Sequence, residues 1–242
     1  MVYGNGKYIV LGDLWSNSGL YSSDGYRWYE MTLPVEGIWY SLCYANNKFI
    51  ALDSDNHCGI YSTDGITWTK FDLSVTVSES FSNICYGNNK FIVGCDNSNQ
   101  ILYSTDGITW SETTLSSSYS YYYPCFVDDK FILTTASSVI LISNDGITWT
   151  TATLPVEDKW SNIYYCNNII FILNSDGTKM LISLDKGSTW ENVINAPSEF
   201  KINSLAYGNN KYILAGSGGG NKYLYTITFP NNIFEYLENK YN

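Results

Sequence analysis

Eleven side chains stand out as able to meet a ligand. Six are aromatic (Trp15, Trp39, Phe81, Tyr119, Tyr121 and Trp160) and five are carboxylates (Asp13, Asp53, Asp55, Asp96 and Asp176). Aromatic faces stack on the C–H surface of a sugar while carboxylates and amides bond its hydroxyls, so the mixture suits glycan recognition. A pair drawn from Asp13, Asp53, Asp96 and Asp176 would instead serve a two-carboxylate glycoside hydrolase. The run Tyr119-Ser-Tyr121-Tyr122-Tyr123 has the Tyr/Ser mix of a binding paratope. His57, the single histidine, lies beside Asp55 with no nucleophile motif near it, which argues against a Ser-His-Asp hydrolase. Asp53-Ser-Asp55-Asn56 approaches calcium-loop spacing, but Cys58 stands where that loop wants glycine, so no metal is expected.

Composition removes whole classes of partner. The 242 residues carry 13 basic and 23 acidic side chains, a net charge of −10, with a pI near 4.4. A phosphate-tracking face cannot be built from that balance, so no nucleic-acid partner is expected. No stretch approaches the roughly 20 apolar residues of a spanning helix, so no membrane insertion is expected either. Arg27 is the single arginine, which excludes any site needing an arginine cluster. The six cysteines are thinly spread, unlike the disulfide frame of a small stapled scaffold. Three of them (Cys43, Cys85 and Cys125) each precede the aromatic residue of a repeated motif and read as small buried residues on successive strands rather than a metal or disulfide set. Met1-Val2-Tyr3-Gly4-Asn5-Gly6 shows no basic segment or apolar stretch of a signal peptide.

The elements that must hold these residues come from a repeat. Tyr21-Ser-Ser-Asp24-Gly25-Tyr-Arg-Trp28 recurs as Tyr61-Ser-Thr-Asp64-Gly65-Ile-Thr-Trp68 and Tyr103-Ser-Thr-Asp106-Gly107-Ile-Thr-Trp110. Ile142-Ser-Asn-Asp145-Gly146-Ile-Thr-Trp149 and Ile182-Ser-Leu-Asp185-Lys-Gly187-Ser-Thr-Trp190 continue it, at a period of about forty residues. A second motif interleaves, as in Tyr44-Ala-Asn-Asn-Lys-Phe-Ile and Tyr86-Gly-Asn-Asn-Lys-Phe-Ile, and it also opens the chain at Tyr3 and closes the series at Tyr207. Each period parses into four short strands, turning at the Asn-Asn and Asp-Gly pairs. The expectation is one all-β, six-bladed β-propeller domain over residues 1–242, four antiparallel strands per blade. The repeats run about 1–36, 37–78, 79–118, 119–157, 158–199 and 200–242. The sixth lacks the Asp-Gly turn, and the sequence does not decide between strand and helix over 230–242.

Ser183-Leu-Asp185-Lys-Gly187-Ser-Thr189-Trp190 matches the pattern Ser-x-Asp-x-Gly-x-Thr-Trp letter for letter. It resembles the Asp-box, or BNR, repeat of sialidase-type β-propellers, and the Asp-Gly-Ile-Thr-Trp array is similar to phage tail-associated and bacterial surface members. The resemblance implies that Asp24, Asp64, Asp106, Asp145 and Asp185 are structural. The same holds for Trp28, Trp68, Trp110, Trp149 and Trp190. It also implies that the candidate ligand residues gather at the end of the blades opposite these turns. A packing register between blades is the competing reading for Trp39, Phe81 and Trp160. Sialidases clamp a substrate carboxylate with three arginines, which Arg27 alone cannot do.

The reading that follows is a non-catalytic, lectin-like propeller that recognises a glycan or cell-surface receptor, without cofactor, on a virion or cell surface. A structural or assembly propeller gripping a protein partner, such as other chains of a larger assembly, is the alternative. A glycoside hydrolase comes third.

Overall fold

In the computed structural model, residues 1–12, 15–39, 41–53, 55–75, 80–195, 201–218 and 221–227 are described. All regular structure among them is β. The strands form six antiparallel sheets in chain order, five of four strands and the sixth of three. The first comprises Val2–Gly4, Lys7–Leu11, Ser16–Ser22 and Tyr29–Gly37, each strand bonded to the next. The second repeats this with Ser41–Ala45, Lys48–Asp53, Cys58–Ser62 and Thr69–Asp72. The segment 230–242 lies outside the described residues.

Two turn chemistries set this order. The first hairpin of each sheet turns on residues that accept a left-handed backbone: Asn46 and Asn47 have φ of 50° and 59°, Asn88 and Asn89 45° and 57°. Asparagine tolerates that region better than most residues, which is why the pair recurs. The register then follows, Tyr44 facing Phe49 and Phe49 facing Ser62 across neighbouring strands.

The chain divides into two compact units, Met1–Leu133 with Leu141–Thr150, and Thr134–Ile140 with Thr151–Asn242. Within the first, alternation gives each sheet two apolar faces, and consecutive sheets bury them against each other. Ile9, Met31 and Leu33 of the first sheet pack with Phe49, Ile60 and Trp68 of the second. Ile50 and Leu52 of the second pack with Phe91, Val93 and Trp110 of the third. A ladder of rings supports each contact: Tyr44, Phe49 and Trp68 have centroids 4.5 and 6.3 Å apart, and Tyr86, Phe91 and Trp110 4.6 and 6.4 Å. In the second unit, Phe171, Leu173 and Met180 pack against Leu205, Tyr212 and Leu214. Burying a side chain of this size stabilises by roughly 1.5–3 kcal/mol, so these contacts dominate cohesion.

Candidate functional site

The five Asp-Gly turns are hydrogen-bonded to themselves. In the second, Ile66 and Thr67 donate their amides to Asp64 Oδ1, both at 2.8 Å. Ser62 Oγ donates to the same oxygen at 2.9 Å and accepts the Gly65 amide at 2.8 Å. The pattern recurs at Asp24, Asp106 and Asp145. At Asp185 the turn is one residue longer, and the Ser188 and Thr189 amides take over. The amides of Ile66 and Thr67 hold the Asp64 carboxyl down at about 2, and those of Thr148 and Ile147 do the same for Asp145. A carboxylate with its acceptors saturated by its own backbone is poorly placed for proton transfer. Of the turn tryptophans, Trp68 and Trp110 are buried, whereas Trp28, Trp149 and Trp190 are half-buried.

The opposite ends of the strands carry the candidate ligand residues, and in the first unit these separate by environment. Trp15 is 55% exposed and has a left-handed backbone, φ 60°. Trp39 is only 5% exposed and donates its indole N–H to the Ser16 carbonyl at 3.1 Å. Asp53 is fully buried, accepting the Asp55 amide at 3.0 Å and the Asn56 side-chain amide at 2.7 Å. A Cβ added at Gly37 would come within 2.6 Å of Asp53 Oδ2 and 2.7 Å of Trp39, so glycine there lets carboxylate and indole share one tight corner. Asp55 is exposed. Asp96 is half-buried, accepting the Asn97 amide on its own loop. Phe81 and Tyr119 are half-buried against the core. Asp13 lies outside the described residues, as does the side chain of Tyr121, whose backbone belongs to Tyr121–Val127.

In the second unit Trp160 is fully buried, its indole donating to the Val156 carbonyl at 3.0 Å. Beside it a cavity of about 480 Å³ is lined by Ala136, Glu157, Asp158, Lys159, Ser175 and Asp176. Lys179 Nζ sits 2.6 Å from Asp158 Oδ2. Burial pushes the Asp158 carboxyl up, but the Lys179 ammonium, the Lys159 amide and Asn174 together hold it below the usual carboxylate range. Asn174, itself buried, accepts the amides of Thr178 and Lys179, both at 2.9 Å. Asp176 is therefore brought together with Glu157, Asp158 and Lys159, none of which stood out among the ligand candidates in the sequence. The recurrence of Leu33-Pro-Val-Glu36 as Leu154-Pro-Val-Glu157 could have marked Glu157, whereas Asp158 and Lys159 answer to Gly37 and Ile38 and carry no such signal.

Trp39 and Trp160, expected to present ring faces to a ligand, are buried residues with satisfied N–H groups, and of the three tryptophans outside the turns Trp15 is the exposed one. Sheet-to-sheet packing favours the largest apolar surface at the strand start, and a ring used there is not free for a ligand.

No protein-family model matches the sequence, and no curated protein matches it. Among solved structures, a streptogramin B lyase matches with a TM-score of 0.77 at 14% identity, over 94% of this chain and 78% of that one. A catalytically inactive virginiamycin B lyase from Staphylococcus aureus with quinupristin gives 0.71 at 14% identity, over 84% and 71%. YCF48 bound to D1 peptide gives 0.63 at 14% identity, over 84% and 69%. The chain has the β-propeller fold. The comparisons correct the Asp-box resemblance, because the structures matched are YCF48 and streptogramin B lyase propellers, not those of the sialidase type, and phage-tail or lectin membership gains no support. The physical reason is that the Ser-x-Asp-Gly turn satisfies its own backbone within a few residues. It can close a hairpin in any blade and carries no information about the rest of the sheet.

Proposed function

We propose that this chain is a non-catalytic β-propeller that binds a protein partner through the loop ends of its sheets. The observation that carries the reading is the burial of Trp39 and Trp160. A sugar site assembled from a row of rings loses two of its main platforms, whereas an exposed tryptophan such as Trp15 is the residue type that anchors protein-docking hot spots. The buried, hydrogen-bonded state of Asp53 and the Lys179-bound state of Asp158 speak against a pair of carboxylates poised for hydrolysis. A propeller of the same fold bound to a peptide supports the reading.

Parallel peptide and glycan arrays probed with the full chain test it. The expected result is saturable binding to a subset of peptides, weakened by Trp15→Ala, with no glycan retained. Glycan binding without peptide binding overturns the proposal, as does turnover of chromogenic glycosides.

A further inference from the structure

The outer strand of the third sheet leaves its ladder partway along. That sheet comprises Phe81–Gly87, Lys90–Cys95, Ser98–Ser104 and Ser111–Tyr119, with Ser111–Tyr119 at the edge. The register pairs Gln100 with Thr114 and then jumps to Ser98 with Tyr119, so Leu115 to Ser118 stand opposite Asn99 alone. Asn99 answers the first of them, its side-chain amide donating to the Leu115 carbonyl at 3.3 Å. Ser116, Ser117 and Ser118 continue the strand and are exposed. The first sheet makes the same excursion. Its pairing jumps from Ser18 with Thr32 to Ser16 with Gly37, which leaves Leu33 to Glu36 opposite Asn17.

The two excursions differ in how their edges are guarded. An edge strand offers its outward N–H and C=O groups to any other strand, and proline or an exposed charge blocks that pairing. The first excursion has both, Pro34 and Glu36, each exposed, and Asn56 donates to the Glu36 carbonyl at 3.1 Å. The outer strands of the second and fourth sheets, Thr69–Asp72 and Thr150–Thr153, are guarded by being only 4 residues long. Ser111–Tyr119 runs to 9 residues without a proline, and its single charge, Glu112, accepts the Gln100 side-chain amide at 2.9 Å. Its far end opens the run Ser116-Ser-Ser-Tyr119-Ser-Tyr-Tyr-Tyr123, the Tyr/Ser mixture of a paratope. Ser120 Oγ ties that run to the neighbouring loop by donating to Asn97 Oδ1 at 2.7 Å. Unguarded backbone and paratope composition thus coincide at the loop end of one sheet.

We infer that this edge receives an extended, uncharged segment of the protein partner as an added strand. The inference rests on the protein-partner reading above and names the conformation and polarity of what is bound. The outward amides and carbonyls of an edge are matched group for group by another extended backbone, which is how a strand-addition site gains its affinity. Serine side chains are short enough to let that backbone approach, and their hydroxyls serve as donors or acceptors. Ser116, Ser117 and Ser118 carry no charge, so a charged residue set against them would lose water without gaining a counter-ion.

The isotope-labelled full chain is titrated with acetyl-Thr-Val-Thr-Val-Thr-Val-amide and, separately, with the same peptide N-methylated at every residue, which removes its backbone donors. The first peptide is expected to shift the Ser116, Ser117 and Ser118 amide resonances saturably and to slow their hydrogen exchange, and the methylated one to leave them unmoved. Ser117→Pro closes the edge and is expected to weaken binding about tenfold, the worth of one or two backbone hydrogen bonds, at an unchanged unfolding midpoint. Ser117→Ala should bind as the parent does. No shift from the first peptide, equal shifts from the methylated one, or a folded Ser117→Pro variant that binds as well as the parent would each overturn the inference. Tighter binding when lysine replaces valine in the peptide would overturn the uncharged polarity. The comparison of the two peptides needs no variant, so it decides even if Ser117→Pro fails to fold. The peptide array separates this failure from that of the wider reading. If peptides are retained equally by the parent and by folded Ser117→Pro, the edge is wrong and the protein-partner reading stands. If no peptide binds at all, the reading itself falls.

Discussion

Asn5 and Thr63 are 58 residues apart and joined by one hydrogen bond, the Asn5 side-chain amide donating to the Thr63 carbonyl at 3.0 Å. Lys48 and Asp106 repeat the relationship at the same separation, Nζ to carbonyl at 3.1 Å, and Asn88 donates to the Asn144 carbonyl at 3.2 Å. The first hairpin of each of the first three sheets is thus tied to the Asp-Gly turn of the next. Lys48→Met keeps the aliphatic stem and removes the donor. It should lower stability by about 0.5–1.5 kcal/mol, the usual net value of one such bond, read from urea unfolding midpoints.

Asp106→Ala removes the acceptor of two amides and a serine hydroxyl within one turn. By analogy with helix caps the cost should be about 1–2 kcal/mol, with peptide binding unchanged. A stable variant that has lost binding would show that the turn belongs to the site.

The same turns predict a pH dependence. The folded carboxyls of Asp64, Asp145 and Asp185 lie at about 2, below the value of about 3.9 for an unfolded aspartate. A lowered folded value means that the unfolded chain binds protons first. The stabilisation is therefore complete above about pH 4 and is lost as pH falls towards about 2. Thermal midpoints should drop across that window, and less steeply when Asp145 is replaced by asparagine. An equal acid response in the Asp145→Asn variant would assign the loss to other carboxylates.

Trp110 and Trp149 occupy equivalent turns with unequal bonding. Trp110 Nε1 donates to the Gly107 carbonyl at 3.2 Å, whereas the buried Trp149 Nε1 has no partner among the described residues. Replacement by phenylalanine therefore removes a hydrogen bond at one position and an unsatisfied donor at the other. Trp110→Phe should cost about 1 kcal/mol more than Trp149→Phe in paired unfolding measurements.

Gly6 and Gly107 both have left-handed backbones, φ 71° and 77°. A Cβ at Gly6 meets nothing, while one at Gly107 collides with the Ile50 side chain of the second sheet. Gly6→Ala should thus cost about 1–2 kcal/mol of backbone strain alone. Gly107→Ala should add an overpacking penalty of about 1–3 kcal/mol. Similar midpoints for the two variants would show that Ile50 yields without cost.

All six cysteines are free thiols. Burial pushes Cys43 and Cys95 up to about 12 and raises Cys85 well above its usual value. Since the thiolate is the reactive species, these three should resist an aromatic disulfide reagent at pH 8 in the native protein. Unfolding in denaturant without reductant should release all six, and a lower count would reveal a disulfide.

The repeats, the hairpins and the turn chemistry were legible in the sequence because each is settled within a few residues. Asn46-Asn47 and Asp64-Gly65 fix their own backbone, and strand alternation follows from the residues between them. The fate of Trp15, Trp39 and Trp160 was not legible, since all three are tryptophans near strand starts in polar loops. Only the packing of a neighbouring strand or sheet made Trp39 and Trp160 core and left Trp15 in solvent. The cavity beside Trp160 shows the same division. Glu157, Asp158 and Asp176 are ordinary surface acids in the sequence, and it is the bonds from Lys179 and Asn174 that neutralise one of them and leave the others facing outward. Local turns depend on chain neighbours, whereas burial and charge pairing depend on residues that only the tertiary structure brings close.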